Sequence, residues 1–305
     1  MAKFEKLAQP VQSVFLAADP DPYLALQENQ FVPYFQPLVT LRTGQLAGFE
    51  VLARWQHPTR GLIPPSCFIA IAERDGWIDE LTRQILQKGL TAASFIPDPL
   101  TLAFNISPVQ LRDRSLPEQI RRIAKTAGFS LSRLIVEITE SALVDDLHGA
   151  YVIAAEIKGM GCKLALDDFG IGYSSLHLLQ SLPFDTLKVD RSFVSSMVEQ
   201  RDSRKIVAAV VGLSQSLALT TVGEGIETQE QAEMMLWLGC DFGQGYFYGR
   251  PMPAEDLAAS LSADRQVIVS MDRSAWKRIS ASNLDVSPLS GLRNCRRSTM
   301  GLQSA

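Results

Sequence analysis

Two β-rich runs near the start of the chain, FVPYFQPLVTL (31–41) and LAGFEVLARW (46–55), decide how the fold begins. Both are rich in aromatic and β-branched residues, which are enriched in strands. The residues between them, RTGQ (42–45), form a short connection containing glycine, which is typical of a hairpin turn. The sequence therefore predicts that the fold opens with two antiparallel strands.

After this hairpin, strand-like runs alternate with amphipathic helical segments. The predicted strands are TLAFNIS (101–107), LIVEIT (134–139), KLALDDF (163–169), TLKVD (186–190), ALTTVGEG (218–225) and FGQGYFYG (242–249). The helices predicted between them cover residues 78–95, 117–127, 148–160, 203–217 and 228–238. Such alternation favours parallel strands joined by crossover helices, and eight strands favour closure into a barrel. We predict an α/β fold, a modified TIM (β/α)8 barrel with one antiparallel strand.

Periodicity also assigns faces to the helix predicted over residues 228–238. Its apolar positions Ala232, Met235 and Leu236 recur at helical spacing and should face the sheet. Glu230 and Gln231 are predicted to point outward.

The length of 305 residues fits either two domains or one large barrel with extensions. Prolines interrupt residues 1–30, which we predict to be an N-terminal arm containing a helical turn or two. Residues 31–261 form the predicted barrel. Residues 262–305 are rich in serine and arginine, and we expect a flexible tail there, whose positive charge could alternatively serve a partner or an anionic surface.

The composition excludes several classes of function. A net charge of −4 argues against a general DNA- or RNA-binding protein, which needs a basic surface. The four cysteines lie far apart and the three histidines are isolated, so any metal site must be built from carboxylates, which favour hard cations such as magnesium or manganese. No apolar run approaches the ~18 residues of a membrane span, and no signal-peptide pattern is present. We expect a cytoplasmic protein.

Polar side chains occupy the ends of most predicted strands, where the active site of an α/β barrel lies. They are Glu50, Asn105, Glu137, Asp167, Asp168, Lys188, Asp190, Glu224 and Gln244. A single acid at such a position is commonly a helix cap. So many converging carboxylates are unfavourable without cations, so the set as a whole predicts a metal site.

The adjacent pair Asp167–Asp168 narrows the chemistry. Neighbouring residues on a strand point to opposite sides, so both carboxylates reach one site only where the strand bends, and the glycines of DDFGIG (167–172) permit a bend. One aspartate could then bridge two ions, the arrangement typical of phosphodiester hydrolysis. Lys188 would add a fixed positive charge. Its alternative interpretation is a structural salt bridge with Asp168 or Glu224.

These strings, taken in order, resemble the EAL-domain family of bacterial cyclic di-GMP phosphodiesterases. GFEVLARW (48–55) resembles the signature strand of that family. Six further strings of the chain resemble the later motifs of the family, in the family's order. They are FNIS (104–107), EITE (137–140), DDFGIGYSSL (167–176), LKVDRSF (187–193), VGEGIE (222–227) and QGYFYGRPMP (244–253). The resemblance covers roughly residues 31–261.

The resemblance implies a role for each matching position. Glu50, Asn105, Glu137 and Asp167 would hold a first metal ion, and Asp167 with Asp168 a second, with Glu224 nearby. Lys188 would contact the attacking water, while Glu224 and Gln244 order solvent around it. Substrate would be contacted by Gln36, Arg54 and Asp190, and the loop after the fifth strand would be braced by Glu140 and Glu227.

The function implied is hydrolysis of cyclic di-GMP to linear pGpG with two Mg²⁺ or Mn²⁺ ions, with Ca²⁺ expected to inhibit. The alternative is a binding module, because some EAL-like domains act only as cyclic di-GMP receptors; that alternative normally lacks a metal or lysine position that is present here. The resemblance also implies a homodimer through the loop 170–175 and the adjacent helix.

Two positions depart from the family pattern. Val51 replaces the alanine of the signature and should face the surrounding helices, away from Glu50. Ile171 stands where the family more often has threonine, which puts loop ordering in doubt.

Overall fold

The computed structural model describes residues 22–139, 147–170 and 179–262. They all belong to the first of two units into which the chain divides, the second being 270–305, which lies outside the described residues. The predicted tail beyond Ser262, Glu140 and most of the loop 170–175, including Ile171, therefore lie outside the described residues as well.

Eight strands close a barrel. They are β1 (Phe31–Thr40), β2 (Leu46–His57), β4 (Thr101–Ile106), β5 (Leu134–Thr139), β6 (Lys163–Phe169), β7 (Thr186–Val189), β8 (Thr220–Gly223) and β9 (Phe242–Gln244). Their order around the barrel is β1-β9-β8-β7-β6-β5-β4-β2, and β2 pairs with β1 to close it. β1 is antiparallel to both of its neighbours, and the other adjacent barrel strands are parallel. The predicted fold class is confirmed.

Two short strands that the sequence patterns do not predict extend this barrel. β3 (Gly61–Ile63) continues from β2 as a second hairpin, and β10 (Met252–Pro253) pairs with β1. The last barrel strand is also shorter than predicted, because the chain leaves it at Gly245. A Cβ atom at position 245 would lie 2.1 Å from the carbonyl oxygen of Ile226. The backbone of Gly245 therefore passes too close to Ile226 for any residue with a side chain.

Helices surround the barrel on its outer face. They are α1 (Pro22–Gln27), α2 (Ile69–Arg74), α3 (Ile78–Ala92), α4 (Leu116–Ala127), α5 (Leu147–Gly159), α6 (Arg191–Ser196), α7 (Arg201–Ser216), α8 (Gln229–Leu238) and α9 (Ala254–Ser262). The five predicted helices match α3, α4, α5, α7 and α8 with small shifts at their ends. None of the helices described here is long and apolar enough to cross a membrane.

Packing confirms one assignment of a face and corrects another. Val51 is buried against Gly89 of α3, on the side of β2 opposite Glu50, as predicted. Gln231 was predicted to point outward, but it is buried. Its side chain accepts a hydrogen bond from the backbone nitrogen of Glu227 and completes a capping box with Thr228, so capping of α8 decides its orientation.

Candidate active site

Four carboxylates surround one buried ammonium group at the carboxyl ends of the barrel strands. Lys188 Nζ lies 2.7 Å from an oxygen of Glu137 and 2.7 Å from an oxygen of Glu224. It lies 3.3 Å from Asp167 Oδ2 and 3.6 Å from Glu50 Oε2. The Lys188 side chain is only 1% exposed. The salt bridge with Glu224 given by the alternative interpretation of Lys188 is therefore present, as one of four contacts.

Amide side chains hold the Glu50 carboxylate from both sides. Asn105 Nδ2 donates to Glu50 Oε1 at 2.7 Å, and Gln244 Nε2 donates to Glu50 Oε2 at 2.5 Å. Gln244 also reaches Gln36 Oε1 at 3.1 Å. The strand ends thus bring the predicted residues Gln36, Glu50, Asn105 and Gln244 into one connected layer.

The Asp167–Asp168 pair reaches one site through an irregularity in β6. Pairing between β6 and β7 shifts register between Leu166 and Phe169. Asp168 has a φ of 56°, in the left-handed region that non-glycine residues rarely adopt. The bend was predicted at the following glycines, but it already begins at Asp168. As a result, ligand atoms of Asp167, Asp168 and Glu224 lie within 4.8 Å of one another.

Burial and mutual repulsion raise the pKa values of several of these acids. Burial, reinforced by Asp167, raises the pKa of Glu224 to about 8. Burial with the charges of Asp167 and Asp190 raises the pKa of Asp168 to about 6. The pKa of Glu137 is also raised well above its ordinary value by burial, although Lys188 opposes this shift.

Two groups in the layer are held in their charged forms. Burial disfavours the charge of Glu50, but Lys188 and the hydrogen bonds from Gln244 and Asn105 outweigh it and lower its pKa. Burial also disfavours the Lys188 ammonium, but Asp167, Glu137, Glu224 and Glu50 raise its pKa well above the ordinary value. The surrounding carboxylates therefore favour the charged form of Lys188.

Above this layer lies an open cavity of about 480 Å³. Its walls include the predicted residues Gln36, Arg54, Asp168, Asp190 and Glu227. The cavity offers room for a small-molecule ligand directly over the carboxylates.

The predicted substrate residues differ in how firmly the protein holds them. Arg54 Nη1 donates to the carbonyl of Ala53 at 2.9 Å, and its guanidinium lies 5.9 Å from the ring centroid of Tyr34. Asp190 caps α6 by accepting a hydrogen bond from the backbone nitrogen of Ser192 at 2.8 Å. A structural role of Asp190 is thus present beside any role in substrate binding.

Two further cavity residues were not singled out from the sequence. Arg191 begins α6, and Tyr246 is 51% exposed beneath the guanidinium of Arg250. Both lie inside sequence motifs, LKVDRSF and QGYFYGRPMP, but arginines and tyrosines are common on surfaces. Only their position in the cavity wall distinguishes them.

The donor set fits hard divalent cations. Oxygen ligands are what Mg²⁺, Mn²⁺ and Ca²⁺ prefer, and the layer offers carboxylates from four strands or strand ends together with an amide oxygen. One lysine cannot balance Glu50, Glu137, Asp167, Asp168 and Glu224 when all are ionised. Bound cations would supply the missing positive charge.

The fold and this site define an α/β-barrel protein with a carboxylate-lined cavity at the carboxyl ends of its strands. The EAL domain model matches residues 23–251, so the chain belongs to the EAL domain family.

The relatives of the chain include signalling proteins of known and unknown activity. It is 43% identical over 232 residues to an uncharacterized signaling protein of Caulobacter vibrioides, covering 76% of this chain and 29% of that protein. It is 38% identical over 257 residues to the cyclic di-GMP phosphodiesterase RocR of Pseudomonas aeruginosa, covering 83% of this chain and 66% of RocR. The chain thus spans less than two thirds of the length of these relatives.

Two solved structures show the same architecture. The MucR phosphodiesterase in complex with c-di-GMP is 37% identical in sequence, with a TM-score of 0.74. The match covers 78% of this chain and 98% of that one. The EAL enzyme Bd1971 with bound cAMP and cyclic di-GMP is 26% identical, with a TM-score of 0.76 covering 79% of this chain and 67% of that one.

Proposed function

We propose that the protein is a metal-dependent phosphodiesterase that hydrolyses cyclic di-GMP to linear pGpG. The observation that carries the proposal is the left-handed backbone conformation of Asp168, with its carboxylate close to those of Asp167 and Glu224. The similarity to RocR and MucR supports cyclic di-GMP as the substrate.

The proposed ligands fall into two overlapping sets. Glu50, Asn105, Glu137 and Asp167 would hold a first Mg²⁺ or Mn²⁺ ion. Asp167 and Asp168 would hold a second, with Glu224 nearby. Two such ions stabilise the attacking and leaving oxygens of an in-line displacement at phosphorus.

Lys188 would orient a reacting group by donating hydrogen bonds to it, rather than accept a proton from it. The surrounding carboxylates raise the pKa of Lys188, so its ammonium form is suited to donate hydrogen bonds rather than to act as a general base. An ammonium fixed by carboxylates donates hydrogen bonds in defined directions, which suits it to hold the attacking water or a phosphoryl oxygen. Glu224 lies 2.7 Å from Lys188 Nζ. Together with Gln244, it would order solvent around the lysine.

The cavity wall would position the dinucleotide. Arg54 offers forked donors to a phosphate oxygen, and stacking near Tyr34 limits its freedom. Gln36 and Asp190 lie on the same wall and would contact polar groups of the substrate. Glu227 is proposed to brace the loop after β6, together with Glu140. A homodimer involving that loop stays a prediction.

Turnover of cyclic di-GMP, followed by chromatography of the products, tests this proposal. We expect pGpG with Mg²⁺ or Mn²⁺, and substrate binding without hydrolysis with Ca²⁺, because Ca²⁺ has longer bonds and a looser shell. Asp168→Asn should reduce turnover by at least ~10²-fold, the order expected when one preorganised electrostatic group is lost. Asp202→Asn, an exposed aspartate of α7 paired with Lys205, is the matched control.

Two results would contradict the proposal. Binding of cyclic di-GMP without turnover in either metal would instead indicate a receptor. Near wild-type turnover of the Asp168→Asn protein would remove the second ion from the mechanism.

A further inference from the structure

The ammonium of Lys188 lies where the carboxylates of the site converge. Oxygens of Glu137, Glu224, Asp167 and Glu50 approach it to 2.7, 2.7, 3.3 and 3.6 Å. These side chains come from different strand ends, and the lysine between them is almost fully buried. The ammonium is therefore the cation at the centre of the layer.

Three of these four side chains, Glu50, Glu137 and Asp167, are also proposed ligands of the first metal ion. A divalent cation bound by them would lie about 2.0–2.6 Å from their oxygens. Because the same three side chains approach Lys188 Nζ to between 2.7 and 3.6 Å, such an ion would lie close to the ammonium, and two cations at short range repel each other strongly. Among the described residues, Asp168 forms no salt bridge with Lys188 within 4.0 Å, so the second ion would be less affected.

We propose that Lys188 competes with the first metal ion for Glu50, Glu137 and Asp167. This inference rests on the proposed metal-dependent function. Lys188 acts as a positioning residue that lowers metal affinity, because an entering ion must displace the ammonium from at least part of its contacts. Removing the positive charge should therefore tighten binding of the ion even while it impairs turnover.

Calcium titration by calorimetry on the full chain tests this competition without relying on activity. Lys188→Met removes the charge at similar length, and we expect Ca²⁺ to bind at least ~10-fold more tightly than to the wild type. Lys158→Met is the matched control, since Lys158 also pairs with a carboxylate, Asp185, at 2.5 Å but lies outside the site. Its Ca²⁺ affinity should stay within about twofold of the wild type.

A second variant covers the case in which Lys188→Met fails to fold. Lys188→Gln keeps a hydrogen-bond donor without the charge and should also bind Ca²⁺ more tightly. Unchanged or weaker Ca²⁺ binding by the folded variants overturns the competition while leaving the metal-dependent function intact. Absence of Ca²⁺ binding by the wild type and both variants overturns the two together.

Discussion

Carboxylates occupy both ends of the barrel, but they have different partners. At the amino end, Asp185 accepts a hydrogen bond from the backbone nitrogen of Leu164 at 2.8 Å and pairs with Lys158. Asp241 accepts from the backbone nitrogen and the hydroxyl of Thr221. At the carboxyl end, several carboxylates face one another around a single lysine.

The comparison shows that the contacts of an acidic side chain, rather than its residue type, decide whether it stabilises the sheet or is suited to binding cations. Each amino-end aspartate satisfies donors at the start of a neighbouring strand, so it stabilises the sheet. When they are ionised, the carboxyl-end acids carry more negative charge than Lys188 can balance, so they are suited to binding cations. The helix-cap interpretation of strand-end acids therefore fits only Asp190 among the predicted site residues that the structure describes.

The sharpest test of this comparison exchanges one aspartate at each end for asparagine. Asp167→Asn should lower turnover by ~10³-fold or more, because it removes a charge shared by both proposed ions. Asp185→Asn should leave turnover nearly unchanged and lower the free energy of unfolding by about 1–2 kcal/mol. Steady-state kinetics in Mg²⁺ and thermal melts measure the two effects.

The reverse pattern would break the comparison. If Asp185→Asn abolished turnover in a folded protein, the amino end would belong to the working site. If Asp167→Asn stayed active, its position in the charged layer would be structural.

A smaller effect should appear in the pH dependence of stability without metal. Asp168 and Glu224 have pKa values of about 6 and 8, raised from ordinary values of 3.8 and 4.5. Between about pH 5 and 8 the folded protein thus holds protons that the unfolded chain releases, so stability falls as pH rises. In EDTA we expect the melting temperature to drop by several degrees from pH 6 to pH 8, at about 2–4 °C per kcal/mol.

Two controls tie this pH dependence to the carboxyl end of the barrel. Glu224→Gln should make the fall with pH shallower, because the variant lacks the acid with the pKa of about 8. Saturating Ca²⁺ should flatten or reverse it, since metal ligands must be deprotonated. A melting temperature in EDTA that rises from pH 6 to pH 8 would contradict the assignment.

Sequence patterns predicted the barrel and the strand-end set because both depend on local periodicity. Alternation along β2 placed Glu50 inward and Val51 outward, and the structure confirms this. The conformation of Asp168 was not predictable, because its positive φ accompanies a shift in the register of pairing with β7, which depends on tertiary structure.

Two other features also depended on tertiary contacts. Gln231 is buried because its side chain caps its own helix, which overrides the periodic pattern. The short Phe242–Gln244 strand ends where Gly245 passes Ile226, a contact that sequence spacing does not reveal. Local sequence patterns therefore predicted which residues lie at the strand ends better than the tertiary contacts that orient their side chains.

The smallest predicted effect concerns the barrel interior below the charged layer. A cavity of about 670 Å³ lies there, lined by the small side chains of Ala103, Ala165 and Thr186 as well as by larger ones such as Ile135 and Phe242, and it reaches Glu137 and Lys188. Barrel interiors are usually filled by bulky branched residues. Ala103 and Ala165 therefore face space that a bulkier side chain could occupy.

Filling this space should be tolerated where filling a packed position is not. Ala165→Val adds apolar volume facing the cavity on a strand, where β-branched residues fit, so we expect a gain of up to about 1 kcal/mol in the free energy of unfolding. Ala154→Val, at a fully buried position of α5, should instead cost about 1–3 kcal/mol through overpacking. Denaturant unfolding separates the two, and turnover of the Ala165→Val protein should stay within about threefold of the wild type, because every proposed ligand is kept. A loss of stability as large as that of Ala154→Val would show that the interior is packed, and a large loss of turnover would show that the layer below Lys188 also supports the chemistry above it.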